Sequence, residues 1–208
     1  MDLREKQREH TAQLLLEAAG RAFASQGYHA TSMEEIAKEA GCGTATLYSY
    51  FKGKKEIFAQ LIGDLSARYL AGLEIATGDA EDFDDGLERY FSHVTSFARK
   101  DRSTLLLLIG AFQSPDAGTL PDPDAMRANE MQHVQILSGL MERGKCAGAL
   151  RDIEPTYLTM SLIGLTHTFL YTWLMGIATE DIDDLMRTCG EIFLHGARIN
   201  HQEQGGDA

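Results

Sequence analysis

Residues 31–58, TSMEEIAKEAGCGTATLYSYFKGKKEIF, carry the tightest constraint in the chain: two short helical patterns joined by a glycine turn and leading into a third helix. Thr31 stands three residues before Glu34, the spacing at which a hydroxyl and a carboxylate cap each other's backbone N–H groups, so a helix is predicted to begin there. Met33, Ile36, Ala37 and Ala40 recur at three- and four-residue intervals and form one apolar face. Gly41 can take the positive φ that ends this helix and turns the chain. A second helix is predicted from about Gly43 to Ser49, with Leu47 inward and Thr44, Ala45, Thr46, Tyr48 and Tyr50 on or near the outer side. Slim and hydroxylic side chains at the start of a helix suit a major groove, and flanking Tyr and Lys suit phosphates. The pattern is that of a helix-turn-helix whose partner is double-stranded DNA.

Gly27-Tyr28, Thr31-Ser32-Met33, Ile36-Ala37, Ala40-Gly41, Thr46-Leu47-Tyr48-x-Tyr50-Phe51-Lys52, and Lys54 with Glu56 together resemble the N-terminal domain of tetracycline-repressor (TetR) type regulators, over roughly residues 10 to 60. The resemblance implies an all-α homodimer of about nine helices, with a three-helix DNA-binding domain in residues 1–53 and a helical effector-binding and dimerisation domain in 54–208. It implies a repressor that reads a palindromic operator and is released by a small molecule. By the same resemblance the DNA contacts fall to Thr31, Ser32, Gly43, Thr44, Ala45, Thr46, Tyr48, Tyr50 and Lys54. Thr44 to Thr46 would face bases and phosphates, the tyrosines the backbone and groove edge, and Lys54 a phosphate. Many members carry Ser-Lys at the head of the recognition helix; this chain has Gly43-Thr44, and so lacks a side-chain cap and one positive charge there.

A net charge of −12 at first argues against a nucleic-acid partner, but the charge is not evenly spread. Residues 1–60 hold 8 basic and 8 acidic residues, and the remaining 11 basic and 23 acidic residues carry the whole excess. A neutral reader with Lys52, Lys54 and Lys55 clustered at one helix start can face phosphate, while an acidic body keeps the protein soluble and turns DNA away from other faces. A DNA-packaging protein would need the opposite distribution. Cys42, Cys146 and Cys189 are odd in number and show no metal-binding spacing, which fits a reducing cytoplasm; the Met1–His10 segment is charged where an apolar core would be needed, so no signal peptide is expected. Cys42 reads as a small apolar plug in the turn, although oxidation there would disturb DNA binding.

In chain order, a first helix is predicted from near Arg4 to Gln26, ended by Gly27, and a fourth from Lys54 to about Thr77 with Phe58, Leu61, Ile62, Leu65 and Tyr69 at helical spacing. The acidic run 79–85 fails as a calcium loop, because Phe83 falls on a ligand position, and reads instead as a solvated helix start. Helices are predicted over 84–99, over 103–113, where TLLLLIGAF is apolar all round and expected to be buried, and over 124–145. The intervening SPDAGTLPDPD holds three of the four prolines and is expected to be a loop near a ligand entrance.

From Pro155 to Thr179 there is no Asp, Glu, Lys or Arg, yet the threonines and His167 make the stretch too polar for lipid, so burial within protein is expected and no membrane partner. The last helix is predicted to be capped by Thr179, with Ile182, Leu185, Met186, Cys189, Ile192, Phe193, Gly196 and Ile199 as one stripe. By the family resemblance these two helices form the dimer interface, through Leu162, Phe169, Leu185, Cys189, Ile192, Phe193 and Gly196. The effector pocket, placed by the same analogy among helices four to eight, takes Phe97, Phe112, Met131, Met141, His167, Tyr171 and Trp173 as candidates, and their character suits a mostly apolar or aromatic effector. His93, His133 and His167 fall singly on different helices, without the spacing of a metal site. The alternative is an all-helical ligand-binding protein or enzyme without sequence-specific DNA binding. No G-x-S-x-G, H-E-x-x-H or phosphate-cradling glycine loop is present, so neither catalytic residues nor a cofactor is expected.

Overall fold

A computed structural model describes residues 2–113 and 123–199, with side chains for 2–109 and 123–199. Among the described residues there are nine helices: α1 Leu3–Gln26, α2 Met33–Glu39, α3 Thr44–Tyr50, α4 Lys54–Gly78, α5 Phe83–Lys100, α6 Arg102–Gln113, α7 Pro123–Cys146, α8 Pro155–Leu174 and α9 Ile182–Ala197. The all-α expectation and the order of elements hold. The proline-rich connection expected near a ligand entrance lies, over residues 114–122, outside the described residues.

Contacts divide the chain into two compact units. The first takes residues 1–68 and 101–126, the second 69–100 and 127–208. The packing boundary therefore falls inside α4, beyond the functional boundary expected after Gly53. The reason is apolar burial: Ile57, Phe58 and Ile62 of α4 and Leu107 of α6 belong to the same core as Leu15, Leu16, Ala19 and Phe23 of α1, Ile36 of α2 and Leu47 of α3. Of the described α6 leucines only Leu107 is buried; Leu105, Leu106, Leu108 and Ile109 are half-buried, so the all-round burial expected of this helix is not found.

In the second unit α5 has the clearest amphipathic pattern. Phe83, Leu87, Tyr90, Val94 and Ala98 are buried at four- and three-residue steps, with Asp84 and Asp85 in the first turn and Arg99 and Lys100 in the last, where each charge complements the helix dipole. Two glycines let helices approach closely. A Cβ on Gly86 would stand 2.5 Å from Leu140, and one on Gly144 2.7 Å from Phe83 and 2.8 Å from Leu150. α8 ends earlier than the uncharged run suggests, because Gly176 takes φ 66° and turns the chain. α9 is then capped by Asp181, whose carboxylate accepts from the Asp183 N–H at 3.0 Å, rather than by Thr179. An isolated bridge from Leu150 to Arg198 ties the α7–α8 connection to the end of α9.

Candidate DNA-binding and effector sites

The first site is built on α2 and α3. The capping box is present one residue later than its expected position: Ser32 caps α2 by accepting from the Glu35 N–H at 3.2 Å, and the Glu35 carboxylate accepts from the Ser32 N–H at 2.7 Å. Those hydrogen bonds hold the Glu35 carboxyl below the usual carboxylate range. Thr31 is buried, and its hydroxyl donates to the Gly27 carbonyl at 2.7 Å. It secures the α1–α2 turn with its side chain turned inward, while Ser32 is half-buried as a cap. Gly41 has φ 66°, as the turn requires.

α3 is anchored by Leu47, which is fully buried in the first unit's core. Ala45, Thr46 and Tyr48 are exposed on its other side, with Gly43 exposed at the N-cap and Thr44 and Tyr50 half-buried at its two ends. Tyr50 also lies under the Arg8 guanidinium, 5.8 Å from the ring centroid. A short helix held by one buried leucine and presenting small, hydroxylic and aromatic groups outward can be laid against base edges and phosphates.

Lys54 has a different position from the phosphate contact expected of it. Its ammonium donates to the backbone carbonyls of Tyr28 at 2.7 Å, His29 at 3.2 Å and Thr31 at 2.8 Å, and sits 4.5 Å from the Tyr28 ring centroid. An ammonium has three N–H donors, and all three are used. Desolvation lowers its pKa, and Glu35 pulls it back up. Lys54 thus staples the start of α4 to the α1–α2 turn, leaving Lys52 and Lys55 as the exposed cations of this stretch. Lys54→Met is expected to destabilise the first unit by about 2 kcal/mol, since charged hydrogen bonds to partly buried acceptors are lost. Denaturant unfolding checks this, and an unchanged midpoint would return Lys54 to a purely DNA-facing role.

The second site is a cluster in the second unit that sequence spacing did not reveal. Tyr69 of α4 stands at its centre, with ring centroids 5.1 Å from His93, 5.1 Å from Phe97 and 5.3 Å from His133, and His133 lies 6.1 Å from His167. The His93 Nε2–H donates to the Tyr69 carbonyl at 2.9 Å, which fixes that tautomer when the ring is neutral, and the Tyr69 hydroxyl shares a 3.3 Å hydrogen bond with His133 Nε2. Gly72 lets His93 come this close, since a Cβ there would meet its Cε1 at 2.4 Å. The Tyr90 hydroxyl is fully buried and makes no hydrogen bond of good geometry, although the hydroxyls of Tyr69 and Thr166 lie beside it. Among the described residues no group of His, Cys, Asp and Glu is arranged to hold a metal.

Burial shapes the cluster's titration. Desolvation, helped by repulsion from His167 and His93, pushes His133 down to about 4, and desolvation lowers His93 and His167 as well. An unfolded histidine takes up its proton near pH 6.5, whereas folded His133 resists until about pH 4, so stability is full above pH 6.5 and falls as pH drops between these values. The expected loss by pH 4 is about 3 kcal/mol. A His133→Gln variant should show a flatter stability–pH profile in urea unfolding, and an identical profile would remove His133 as the cause.

Of the residues expected to touch an effector, Phe97 and His167 belong to this cluster. Met141 is fully buried in the core beside Leu140, Met131 is largely exposed, and Tyr171 and Trp173 are partly exposed on α8; the Phe112 side chain lies outside the described residues. The residues missed were Tyr69, Tyr90, His93 and His133, brought together from α4, α5 and α7. Their only sequence signal was their aromatic and imidazole character on helices that the family analogy placed around a pocket.

The expected dimer contacts divide in two. Leu162, Leu185, Cys189 and Phe193 are buried within the chain, where α8 packs on α9, so they form its own core and are not available to a partner. Ile192 and Gly196 are exposed and Phe169 is half-buried. On α8 the outward stripe is instead Tyr157, Met160, Gly164, Thr168 and Tyr171, all exposed at three- and four-residue steps. Among the described residues no helix is long and apolar enough to cross a membrane.

Comparison with known proteins agrees with this geometry. Residues 15–61 match the family model described as "Bacterial regulatory proteins, tetR family". The chain is 27% identical over 161 residues to the uncharacterized HTH-type transcriptional regulator YhgD of Bacillus subtilis (strain 168), covering 77% of this chain and 82% of that protein. It is 22% identical over 194 residues to the fatty acid metabolism regulator protein of the same organism, covering 92% and 97%. The fold is similar to the crystal structure of the transcriptional regulator FadR from Bacillus subtilis in complex with stearoyl-CoA, with a TM-score of 0.75 at 20% identity over 88% of this chain and 98% of that one.

Proposed function

Because this chain belongs to the tetR family of bacterial regulatory proteins, and is thus a DNA-binding transcriptional regulator rather than an enzyme, we propose that it is a homodimeric repressor that binds a palindromic operator and releases it when a small, mostly apolar effector occupies the second unit. The observation that carries the DNA half is α3, locked by Leu47 at 0% exposure while Tyr48 stands 52% exposed beside Ala45 and Thr46. Tyr48 contacts the DNA backbone or groove edge, and Thr44 to Thr46 read base edges. The functional reader is residues 1–53, and 54–208 carry effector binding and dimerisation.

The effector half rests on the Tyr69 cluster, where aromatic rings surround a few polar groups. The complex of a structurally similar regulator with stearoyl-CoA supports a lipophilic ligand class. Dimerisation is assigned to the exposed stripe of Tyr157, Met160, Gly164 and Tyr171 on α8, joined by Ile192 and Gly196 of α9. Contiguous exposed apolar groups of this kind mark interaction surfaces. The protein works in the cytoplasm, where its DNA is.

Fluorescence anisotropy against palindromic and random DNA, repeated over a salt series, tests the reading. Preference for one palindrome at all salt concentrations supports it, and equal binding to both sinks it. Tyr48→Ala is expected to lower affinity about tenfold on every sequence without changing stability, since an exposed aromatic contributes to contact and not to folding. Thr46 substitutions should instead alter which base is preferred.

A further inference from the structure

We propose that the site around Tyr69, Tyr90, His93, Phe97, His133 and His167 takes an effector with an uncharged hydrogen-bonding head, a hydroxyl or carbonyl, on an apolar body, and discriminates against anionic heads. This deepens the effector reading above and rests on it. Three observations carry it. The Tyr90 hydroxyl is a fully buried polar group without a well-formed hydrogen bond, and such a group costs stability until something satisfies it. It stands beside the Tyr69 hydroxyl, which reaches His133 in turn, so a ligand oxygen arriving there would meet both donors and acceptors. His167 is exposed while its ring lies 6.1 Å from that of buried His133, so the cluster reaches the surface at that edge.

The charge around the cluster decides the head group. Glu130 of α7 is the charged side chain that acts on both Tyr69 and His167, and its sign repels an anion. Of the cations of the same unit, Arg89, Arg99, Lys145, Arg187 and Arg198 bond carboxylates elsewhere, Arg143 and Arg151 bond the Thr77 and Gly196 carbonyls, and Lys100 and Arg127 are exposed to solvent rather than buried among the rings. An anionic head would therefore have to charge an imidazole. Burial disfavours the charged form of all three rings, and where the ring is His133, held at about 4, its protonation costs roughly a thousandfold in binding at pH 7. A hydroxyl or carbonyl meets no such penalty.

The test is calorimetric binding to the full-length protein at pH 7.5 of three probes with one apolar body, 1-decanol, decanoate and decylammonium, run in two buffers of different ionisation enthalpy. The expected result is that decanol binds at least tenfold tighter than decanoate with no proton uptake, and that Tyr69→Phe, which keeps the ring, weakens decanol about tenfold. Tighter decanoate binding with uptake of a proton overturns the head-group assignment and leaves the location standing. Tightest binding of decylammonium overturns it in favour of a cationic head answered by Glu130. Absence of saturable binding, or binding indifferent to both Tyr69→Phe and His133→Gln, overturns the location as well. Decanol binding through the cluster that leaves operator affinity unchanged supports the head-group assignment and refutes only the release mechanism.

Discussion

Replacing Phe23 by alanine is expected to remove about 3–5 kcal/mol of stability from the first unit and, with it, operator binding. Phe23 is fully buried on α1, with its ring 5.5 Å from that of Tyr28 and edge-on to Phe58 of α4 at 6.1 Å. The same core receives Ile36 from α2 and Leu47 from α3. Truncation would leave a cavity under the helices that orient the recognition surface, because close-packed neighbours relax only partly. Small domains are stable by about 5–15 kcal/mol, so a loss of this size populates unfolded reader at modest denaturant. Urea unfolding followed by circular dichroism, with DNA anisotropy alongside, measures both effects. A cost below about 1 kcal/mol would mean that the core closes over the gap and that this ring does not hold the reader together.

Met160→Asp is expected to give a folded monomer whose operator affinity is at least a hundredfold weaker, while Leu162→Asp, two residues away, should unfold the chain. Met160 is 58% exposed in the single chain, so a carboxylate there stays in water and costs the monomer little. Across the proposed two-fold interface the same substitution buries two unpaired charges against apolar surface, and each costs several kcal/mol. Leu162 is fully buried between α8 and its own neighbours, so the charge would be trapped inside the fold. Two linked readers bind a palindrome with a high effective concentration for the second contact, and a monomer forfeits it. Sedimentation of both variants decides. A folded Met160→Asp dimer would move the interface away from the outward stripe of α8.

The proposed switch follows from the same assignments. α4 begins at the Lys54 staple of the first unit and carries Tyr69 into the second, so one helix belongs to both sites. A ligand weakens DNA binding only if it favours a conformation in which the readers are misplaced. The coupling, about 1–3 kcal/mol in typical cases, must be felt equally by the ligand when operator DNA is bound.

Local physics made much of this protein legible from the sequence. The apolar period of 3.6 placed α2, α4 and α9, and the reader's wording in residues 31–58 gave the helix-turn-helix, because Leu47, Ile36 and Gly41 act through backbone geometry within a few residues of themselves. What tertiary structure alone decided were choices between locally equivalent options. Thr31 and Ser32 each have a glutamate three residues on, and Ser32 became the cap because the Gly27 carbonyl drew the Thr31 hydroxyl inward. α8 is apolar or uncharged on every side, so periodicity could not say that Leu162 faces α9 and Met160 faces solvent. Lys54 looked like a phosphate ligand until three carbonyls, 23 to 26 residues earlier, surrounded it. The Tyr69 cluster is the extreme case: His93, His133 and His167 lie on three helices, and their encounter depends on helix packing, which no local spacing encodes.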